Sequence, residues 1–388
     1  MVVRLPEAEW TRREDLAALV AALGADNARY VGGAVRDTLL GLPVKDIDLA
    51  TTLDPKTVMA RVRDAEFQPV PTGIEHGTIT AVLPGGPVEI TTLRRDVSTD
   101  GRRATVAFAT EWQDDAARRD FTINALYADP QSGAIYDYFG GQDDLAARRL
   151  RFIGDAHQRI REDHLRILRY FRFQARFGSQ PADPVAEQAC ADLAATLKGL
   201  SRERVGMEMM NLLGLADPAP IVARMAELGV LAVVLPEADV AALTALTQEE
   251  RKQAIPPDPL RRLAALLPAD APLAESVASR FRLSGAQKKR LALAAARESN
   301  AGDARALAYR LGRDAAMDRL LLGGASVAPL DGWDIPAFPL KGGEVVARGV
   351  KAGPQVARTL QAVEERWIEE GFPDETRVAQ LLDEELSG

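Results

Sequence analysis

Tyr30-Val-Gly-Gly-Ala-Val-Arg-Asp37 and, shortly after it, Lys45-Asp-Ile-Asp-Leu-Ala-Thr51 decide how this chain folds. The first stretch reads as a short strand running into a glycine turn, from which Val35 to Leu40 open a helix. The second alternates apolar and polar residues with the period of two of a half-buried strand. Asp46 and Asp48 flank Ile47, so they share one face of that strand. Two carboxylates so close repel each other unless a cation lies between them, and hard oxygen ligands suit Mg2+. Gly32 and Gly33 let the backbone approach a phosphate closely, and the helix start offers unpaired amides. Arg36 adds a guanidinium fork for a phosphate oxygen. Glu89, in Pro87-Val-Glu-Ile90, falls on another expected strand and is placed to supply the third carboxylate of a two-metal site.

Working outward, residues 1–150 alternate helix and strand signals. Residues 14–23 have helical apolar spacing. Pro55 opens a helix to residue 64, as suits proline in a first turn. Residues 78–83 and 88–93 are strands joined at Pro84-Gly-Gly-Pro87, which predicts a hairpin. Residues 93–108, with Arg94-Arg-Asp96 and Asp100-Gly-Arg-Arg103, are polar and glycine-interrupted and read as a mobile loop. From about Ala156 onward the chain is rich in Ala, Leu, Arg and Glu with helical periodicity; residues 228–235 are ambiguous. Breaks at Ile255-Pro-Pro-Asp-Pro259 and around residues 323–339 are candidate boundaries. The expected class is α+β: a small mixed α/β head followed by an elongated all-helical neck, body and tail.

With 388 residues, 47% hydrophobic and 27% charged, the composition is that of a folded soluble protein, which excludes a disordered or collagenous chain. No apolar run reaches the ~18 residues of a membrane-spanning helix, and the first residues lack the apolar core of a secretory signal. One cysteine, Cys190, excludes an internal disulfide framework and a Cys-based zinc cluster. The histidines are His76, His157 and His164, too few for a His-rich metallohydrolase. The formal charge of −8 argues at first against a nucleic-acid partner. By region it does not: residues 251–313 hold 13 Lys and Arg against 5 Asp and Glu, a net of +8, leaving −16 elsewhere. Within that stretch Arg261, Arg262, Lys288, Lys289 and Arg290 form the clusters a phosphate backbone requires.

The two opening segments, taken together, resemble the first motif of nucleotidyltransferases that act on RNA 3′ ends, specifically the class II tRNA nucleotidyltransferase (CCA-adding) and bacterial poly(A) polymerase family. Arg118-Arg-Asp120-Phe-Thr-Ile-Asn124-Ala is similar to that family's second motif. Gly154-Asp155, Arg159-Ile160 and Glu162-Asp163-His-Leu-Arg166-Ile-Leu-Arg169-Tyr-Phe-Arg172-Phe are similar to its third and fourth, and Arg202-Glu-Arg-Val205 with Glu208 to its fifth. The resemblance is strong over residues 28–210 and diffuse beyond, apart from Phe338-Pro-Leu-Lys-Gly-Gly-Glu344.

The resemblance implies transfer of a nucleoside monophosphate from a triphosphate to an RNA 3′-hydroxyl. Asp46 and Asp48 would hold two Mg2+ ions, Glu89 would help activate the hydroxyl, and Gly32, Gly33 and Arg36 would cradle the triphosphate. Arg119, Asp120 and Asn124 would contact sugar and phosphates. Asp163 and Arg166 would read the base, and Arg169 and Arg172 would serve the triphosphate. Asp163, Arg166, Arg169, Arg172 and Arg176 fall within one half of a helical wheel, with Ile167, Leu168, Phe171 and Ala175 on the other. Cytosine and adenine each present an amino donor beside a ring-nitrogen acceptor, which Asp and Arg match; uracil and guanine present the reverse, and such readout is worth about 1–3 kcal/mol. A flexible loop at 93–108 accompanies A addition in the family.

The expected partners are the tRNA 3′ end, ATP and CTP, with no membrane, no obligatory protein partner and a cytoplasmic location. The expected division is head 1–145, neck 146–200, body 201–280 and a tRNA-binding tail 281–388. Within the family, an A-adding enzyme or a poly(A) polymerase is the alternative; outside it, a non-catalytic RNA-binding protein, which would not need Asp46, Asp48 and Glu89 together. No His-Asp dipeptide occurs, so the phosphohydrolase activity of some relatives is not expected.

Overall fold

The computed structural model describes residues 3–100, 103–297 and 303–387, and of residues 96–100 and 103–107 the backbone alone. Its strands are β1 (Ala28–Val31), β2 (Ile47–Thr51), β3 (Gln68–Gly73), β4 (Thr78–Leu83), β5 (Gly86–Thr92), β6 (Arg94–Asp100), β7 (Arg103–Phe108), β8 (Leu126–Ala128) and β9 (Ile135–Asp137). Among the described residues they make a seven-stranded sheet, ordered β3-β4-β5-β2-β1-β8-β9, and a separate β6-β7 pair. The pairing of β2 with β5 is parallel; β1 pairs antiparallel with β2 and with β8. Leu83 faces Gly86 across the β4–β5 turn, so Pro84 and Gly85 form the tight hairpin expected there.

The alternation in β2 sets the two faces of the sheet. Ile47, Leu49 and Thr51 point one way and are buried; Asp48 points the other and is half-buried. In β5, Val88, Ile90 and Thr92 are buried while Glu89 is exposed. Helix α1 (Glu14–Leu23) packs on α3 (Pro55–Asp64), and α3 packs on β3, β4 and β5. Helix α3 starts where the sequence predicts: Asp54 accepts from the Lys56 and Thr57 amides, Pro55 takes the first position, and Val58 and Val62 are buried. Helix α2 (Gly33–Leu39) packs on β1, β2 and β8.

Residues 93–108 correct an expectation. The polar stretch read as a loop is a β-hairpin, with Arg94 opposite Phe108 and Asp100 opposite Arg103. Gly101 and Arg102 lie outside the described residues.

The remaining elements are helical: α4 (Trp112–Ala117), α5 (Gly141–Ala146), α6 (Ala156–Glu162), α7 (Arg166–Phe177), α8 (Pro184–Asp192), α9 (Arg202–Leu213), α10 (Ala219–Glu227) and α11 (Val230–Val234), then α12 (Val240–Lys252), α13 (Pro259–Leu266), α14 (Ala271–Arg280), α15 (Gly285–Ala295), α16 (Ala304–Leu311), α17 (Arg313–Leu322), α18 (Gly342–Ala347), α19 (Pro354–Glu369) and α20 (Glu375–Ser387). The ambiguous stretch at 228–235 resolves as α11. No helix among the described residues is long and apolar enough to cross a membrane.

The chain divides into two compact units, 1–208 with 221–236, and 209–220 with 237–388. In the first, α7 buries Ile167, Leu168, Tyr170, Phe171, Phe173 and Phe177, and Phe121 and Phe152 stack into the same aromatic group. The second holds one core around Leu246, Ala316, Leu320 and Leu321 and another around Val363, Trp367, Leu381 and Leu382. The prolines at 256, 257 and 259 turn α12 into α13 inside this unit and do not mark its edge.

The basic clusters of the second unit are largely spent on its own fold, which corrects the phosphate-binding expectation for Arg261, Arg262 and Arg290. Arg261 and Arg262 are 4% and 2% exposed. Arg262 donates from Nε to Glu250 at 2.8 Å and from Nη1 to the carbonyls of Leu213, at 2.7 Å, and Leu215. Arg261 Nε lies 3.3 Å from Glu250 and 3.6 Å from Asp318. Arg290 donates to both oxygens of Asp318 at 2.7 and 2.9 Å and pairs with Asp258 at 2.8 Å. Arg261 and Arg262, in neutralised and desolvated pairs, are not available to a surface phosphate, and the half-buried Arg290 is committed to two carboxylates. Lys288 approaches Glu275 at 3.5 Å, and Lys289 is exposed with no partner among the described residues.

Candidate active site

The parallel pairing of β2 with β5 sets Asp48 opposite Glu89. Register partners point to the same face, so these carboxylates are neighbours by construction. Asp46 precedes β2 and is exposed. Among the described residues, none of these three carboxylates has an ion pair or a side-chain hydrogen bond. Burial, followed by the charge of Glu89 and, more weakly, that of Asp46, pushes the Asp48 carboxyl up to about 6, with Arg119 partly offsetting the rise. A partly desolvated carboxylate set without a pairing cation is a donor set that fits a hard divalent ion. Among the described residues, no three acidic, His or Cys side chains converge into a ready-made cage. Glu89 therefore does not complete a preformed three-carboxylate site; it acts on Asp48 through its field. Mg2+ keeps several waters and is commonly held by one or two carboxylates plus substrate phosphates, so Asp46 and Asp48 suffice for the fit.

Gly32 links β1 to α2 with φ +68 and ψ −120, a backbone conformation in which a side chain is strained. Its amide donates to the Leu126 carbonyl at 3.1 Å. A Cβ there would stand 3.4 Å from Arg119 Nη1 and 3.7 Å from the Asn124 carbonyl, whereas Gly33 is roomier, with Arg36 at 3.7 Å. Arg119 thus lies against the glycine turn and within electrostatic reach of Asp48. It is held by Tyr127, whose hydroxyl accepts from Nε at 3.2 Å, and by Asp115, which accepts from Nη2 at 3.1 Å.

Asp115 is a residue the sequence did not single out. It is 1% exposed and also accepts from Arg118 Nε, the Tyr127 hydroxyl and the Arg94 amide at the start of β6. Burial alone would raise its pKa; the Arg119 and Arg118 charges and the Tyr127 hydroxyl overcome that and hold it near 2. Asp144, fully buried, does a similar task for Thr122, Arg149 and Arg151.

Arg36 corrects the expectation of a phosphate fork. It is 5% exposed, its Nε donates to Asp37 at 2.8 Å, its Nη1 to Asn124 Oδ1 at 2.5 Å, and the guanidinium lies over the Phe177 ring at 4.2 Å. The fork is committed inside the protein. Asn124 and Asp120 are each 8% exposed. Asn124 Nδ2 donates to Asp120 Oδ1 at 2.9 Å, and Asp120 Oδ2 accepts from Arg169 Nε at 2.8 Å and Nη2 at 2.6 Å. Burial raises the Asp120 pKa, but Arg169 and Asn124 more than compensate and hold it near 2.

Asp163 was expected on the helix with the arginines; it sits in the turn before α7 instead. Its side chain accepts from the Leu165 amide at 3.1 Å and from Arg204 at 2.7 Å. Arg166 opens α7, donating from Nη1 to Glu162 at 2.7 Å and the Arg159 carbonyl at 2.8 Å, and from Nη2 to the Arg118 carbonyl at 3.0 Å. Arg172 pairs with Glu208, which is 3% exposed, at 2.6 Å. Arg166 and Arg169 both act electrostatically on Asp120, and Asp163 acts on Arg169, so these residues form one neighbourhood.

Comparison with known proteins agrees with this geometry. A profile for the poly(A) polymerase head domain matches residues 28–151, and one described as a probable RNA- and SrmB-binding site of polymerase A matches residues 183–241. Human mitochondrial CCA tRNA nucleotidyltransferase 1 is 44% identical over 218 residues, covering 55% of this chain and 50% of that protein. The CCA-adding enzyme of Geobacillus stearothermophilus is 40% identical over 205 residues, 52% of this chain and 49% of that one. The chain thus matches about half the length of these curated relatives. The crystal structure of the Bacillus stearothermophilus CCA-adding enzyme in complex with CTP superposes with a TM-score of 0.72 at 27% identity, covering 96% of this chain and 98% of that one. A Thermotoga maritima CCA-adding enzyme complexed with tRNA-CCA shares the fold, with a TM-score of 0.71 at 21% identity over 96% and 94% of the two chains. Motifs, topology and relatives thus agree in a likeness to the class II tRNA nucleotidyltransferase (CCA-adding enzyme) and bacterial poly(A) polymerase family.

Proposed function

We propose that the protein adds C, C and A to the 3′ end of tRNA, using CTP and ATP and no nucleic-acid template. The observation that carries the reading is the unpaired set of Asp46, Asp48 and Glu89 beside the Gly32 turn and Arg119, on a chain whose relatives are named CCA-adding enzymes. The family uses divalent metal ions; here we propose two Mg2+ held by Asp46 and Asp48. Bound there, the ions supply charge neutralisation at the attacking and leaving oxygens. The 3′-oxygen forms a bond to the α-phosphorus, the bond to the β-phosphate oxygen breaks, and pyrophosphate leaves. Glu89, exposed beside Asp48, is placed to take the hydroxyl proton. Gly32 and Gly33 admit the triphosphate and Arg119 faces it, while Arg169, paired with Asp120 beside the sugar, serves the triphosphate together with Arg172.

Asp163 and Arg166 read the base edge. Each Asp163 oxygen retains acceptor capacity beyond Arg204 and Leu165, and the Arg166 Nε–H has no partner among the described contacts. Lys288 and Lys289 remain candidates for the RNA backbone. We place the head at 1–145, the neck at 146–200, the body at 201–280 and the tail at 281–388, with a cytoplasmic location. Poly(A) addition is the second reading, favoured by the description of the profile that matches residues 28–151.

The test is incorporation of labelled CTP into tRNA that lacks its 3′ end, with and without Mg2+, by wild type and Asp46→Ala. Mg2+-dependent incorporation lost in Asp46→Ala supports the reading; incorporation that survives the substitution refutes the metal assignment. ATP accepted only on tRNA already ending in CC would identify an A-adding enzyme.

A further inference from the structure

Asp37 enters none of the roles above, yet it is 8% exposed and shared by two guanidiniums. Its Oδ1 accepts from Arg36 Nε at 2.8 Å and lies 2.7 Å from Arg36 Nη2; its Oδ2 accepts from Arg176 at 3.2 Å. Arg36 passes the constraint on through Nη1 to Asn124 Oδ1. A guanidinium can only donate. The Asn124 carbonyl must therefore face Arg36, which leaves its amide nitrogen facing Asp120 Oδ1 at 2.9 Å. Asp120 then offers its other oxygen to Nε and Nη2 of Arg169. The links run from the last turn of α7, at Arg176, through α2, and back to the first turn of α7, at Arg169. Each link admits only one polarity, so the order is fixed from Asp37 outward.

We infer that Asp37 is a positioning residue: through Arg36 and Asn124 it sets the orientation of Asp120, and so holds Arg169 in the posture in which it meets the nucleotide. The physical reason is competition for an anion. Arg36 is buried among aromatic rings and has two carboxylates within its field, Asp37 and, farther off, Asp120. With the Asp37 charge removed, Arg36 is drawn to Asp120, displaces the Asn124 amide and competes with Arg169 for the same carboxylate. The contribution of Arg169 to nucleotide binding rests on the proposed function; the relay itself does not.

The experiment is Asp37→Asn, read in two ways. The first is the Nε–H resonance of Arg169 in the nitrogen-15 spectrum, identified by its loss in Arg169→Lys. The second is the division of the kinetic effect between KM and kcat. The expected result is a shifted, faster-exchanging Arg169 resonance, with KM for CTP and ATP raised about tenfold and kcat within about twofold of wild type. A merely structural role lowers the melting temperature and leaves the resonance of the folded fraction and the KM unchanged; that result overturns the inference. Should Asp37→Asn fail to fold, Asn124→Ala interrupts the same chain without adding or removing a charge and must move the same resonance. An unmoved resonance there, or loss of folding in both variants, also overturns it. If the wild type incorporates no nucleotide, the proposed function fails and the Arg169 resonance still decides the relay.

Discussion

Arg262→Ala distinguishes a structural arginine from an RNA-binding one. Arg262 is 2% exposed and neutralises Glu250, itself 1% exposed. Its Nη1 also satisfies the carbonyls of Leu213 and Leu215, and its Nη2 reaches Ala216 at 3.4 Å. Truncation removes the closer of the two guanidiniums that neutralise buried Glu250, leaving Arg261 at 3.3 Å, and strands the carbonyls of Leu213 and Leu215. Removing one partner of a buried pair costs about 3–5 kcal/mol. For a unit of this size each kcal/mol lowers the melting temperature by about 2–4 °C, so the drop is about 6–20 °C. The assay is thermal unfolding by circular dichroism together with tRNA binding at a temperature where both proteins remain folded. The expected outcome is a large loss of stability with near-normal binding by the folded protein. A variant that melts like wild type but binds tRNA more weakly, with a shallower salt dependence, would refute the reasoning and return Arg262 to the RNA surface.

Further outcomes follow from individual contacts. Gly32→Ala forces a side chain into a positive-φ conformation against Arg119 and costs about 1–3 kcal/mol; nucleotide binding measured by calorimetry should weaken, and an unchanged affinity would contradict this. Asp115 has a folded pKa near 2, below the 3.8 of an unperturbed Asp. The unfolded state therefore takes up the proton first as pH falls, and the contribution is present above about pH 4 and lost toward pH 2. The shift corresponds to about 2–3 kcal/mol. Melting curves between pH 5 and pH 2.5 should fall more steeply for wild type than for Asp115→Asn, and parallel curves would contradict this. Trp367, 2% exposed against Tyr309, Phe338 and Phe372, anchors the last core; Trp367→Ala should cost about 3–5 kcal/mol in chemical denaturation. Asp163→Ala should raise misincorporation of UTP and GTP more than it raises KM for CTP, as measured by single-triphosphate extension.

What could be read from the sequence was local. The Gly-Gly turn, the Asp-x-Asp strand and the helices at 14–23 and 55–64 are each written in adjacent residues by alternation, proline position and capping, and they fold as read except that Asp46 falls just before β2. The head's α+β character and its resemblance to a known family followed from them. The residues misread depend on partners distant in sequence. Arg36 carries no local sign that Asn124 and Phe177 enclose it. Arg261-Arg262 looks like a basic patch until Glu250, a dozen residues earlier, and Asp318 fold against it; the leucines at 263, 266 and 267 were the available signal of burial. Asp115 carries no local sign of its role, because an acidic residue early in a helix is ordinary and its four partners come from three different elements. In the 93–108 hairpin the polar residues and Gly101 suggest a loop, while the β-branched and aromatic residues of Thr105-Val-Ala-Phe108 are the local sign of a strand.

The account stands most directly on the sequence of the product. tRNA ending at its discriminator base is incubated with the protein, Mg2+, CTP and ATP, and the extended 3′ ends are sequenced. The account predicts C, C, A and no further nucleotide, with no extension in Asp48→Ala; homopolymeric A tails, or wild-type protein that leaves the tRNA unchanged, would contradict it.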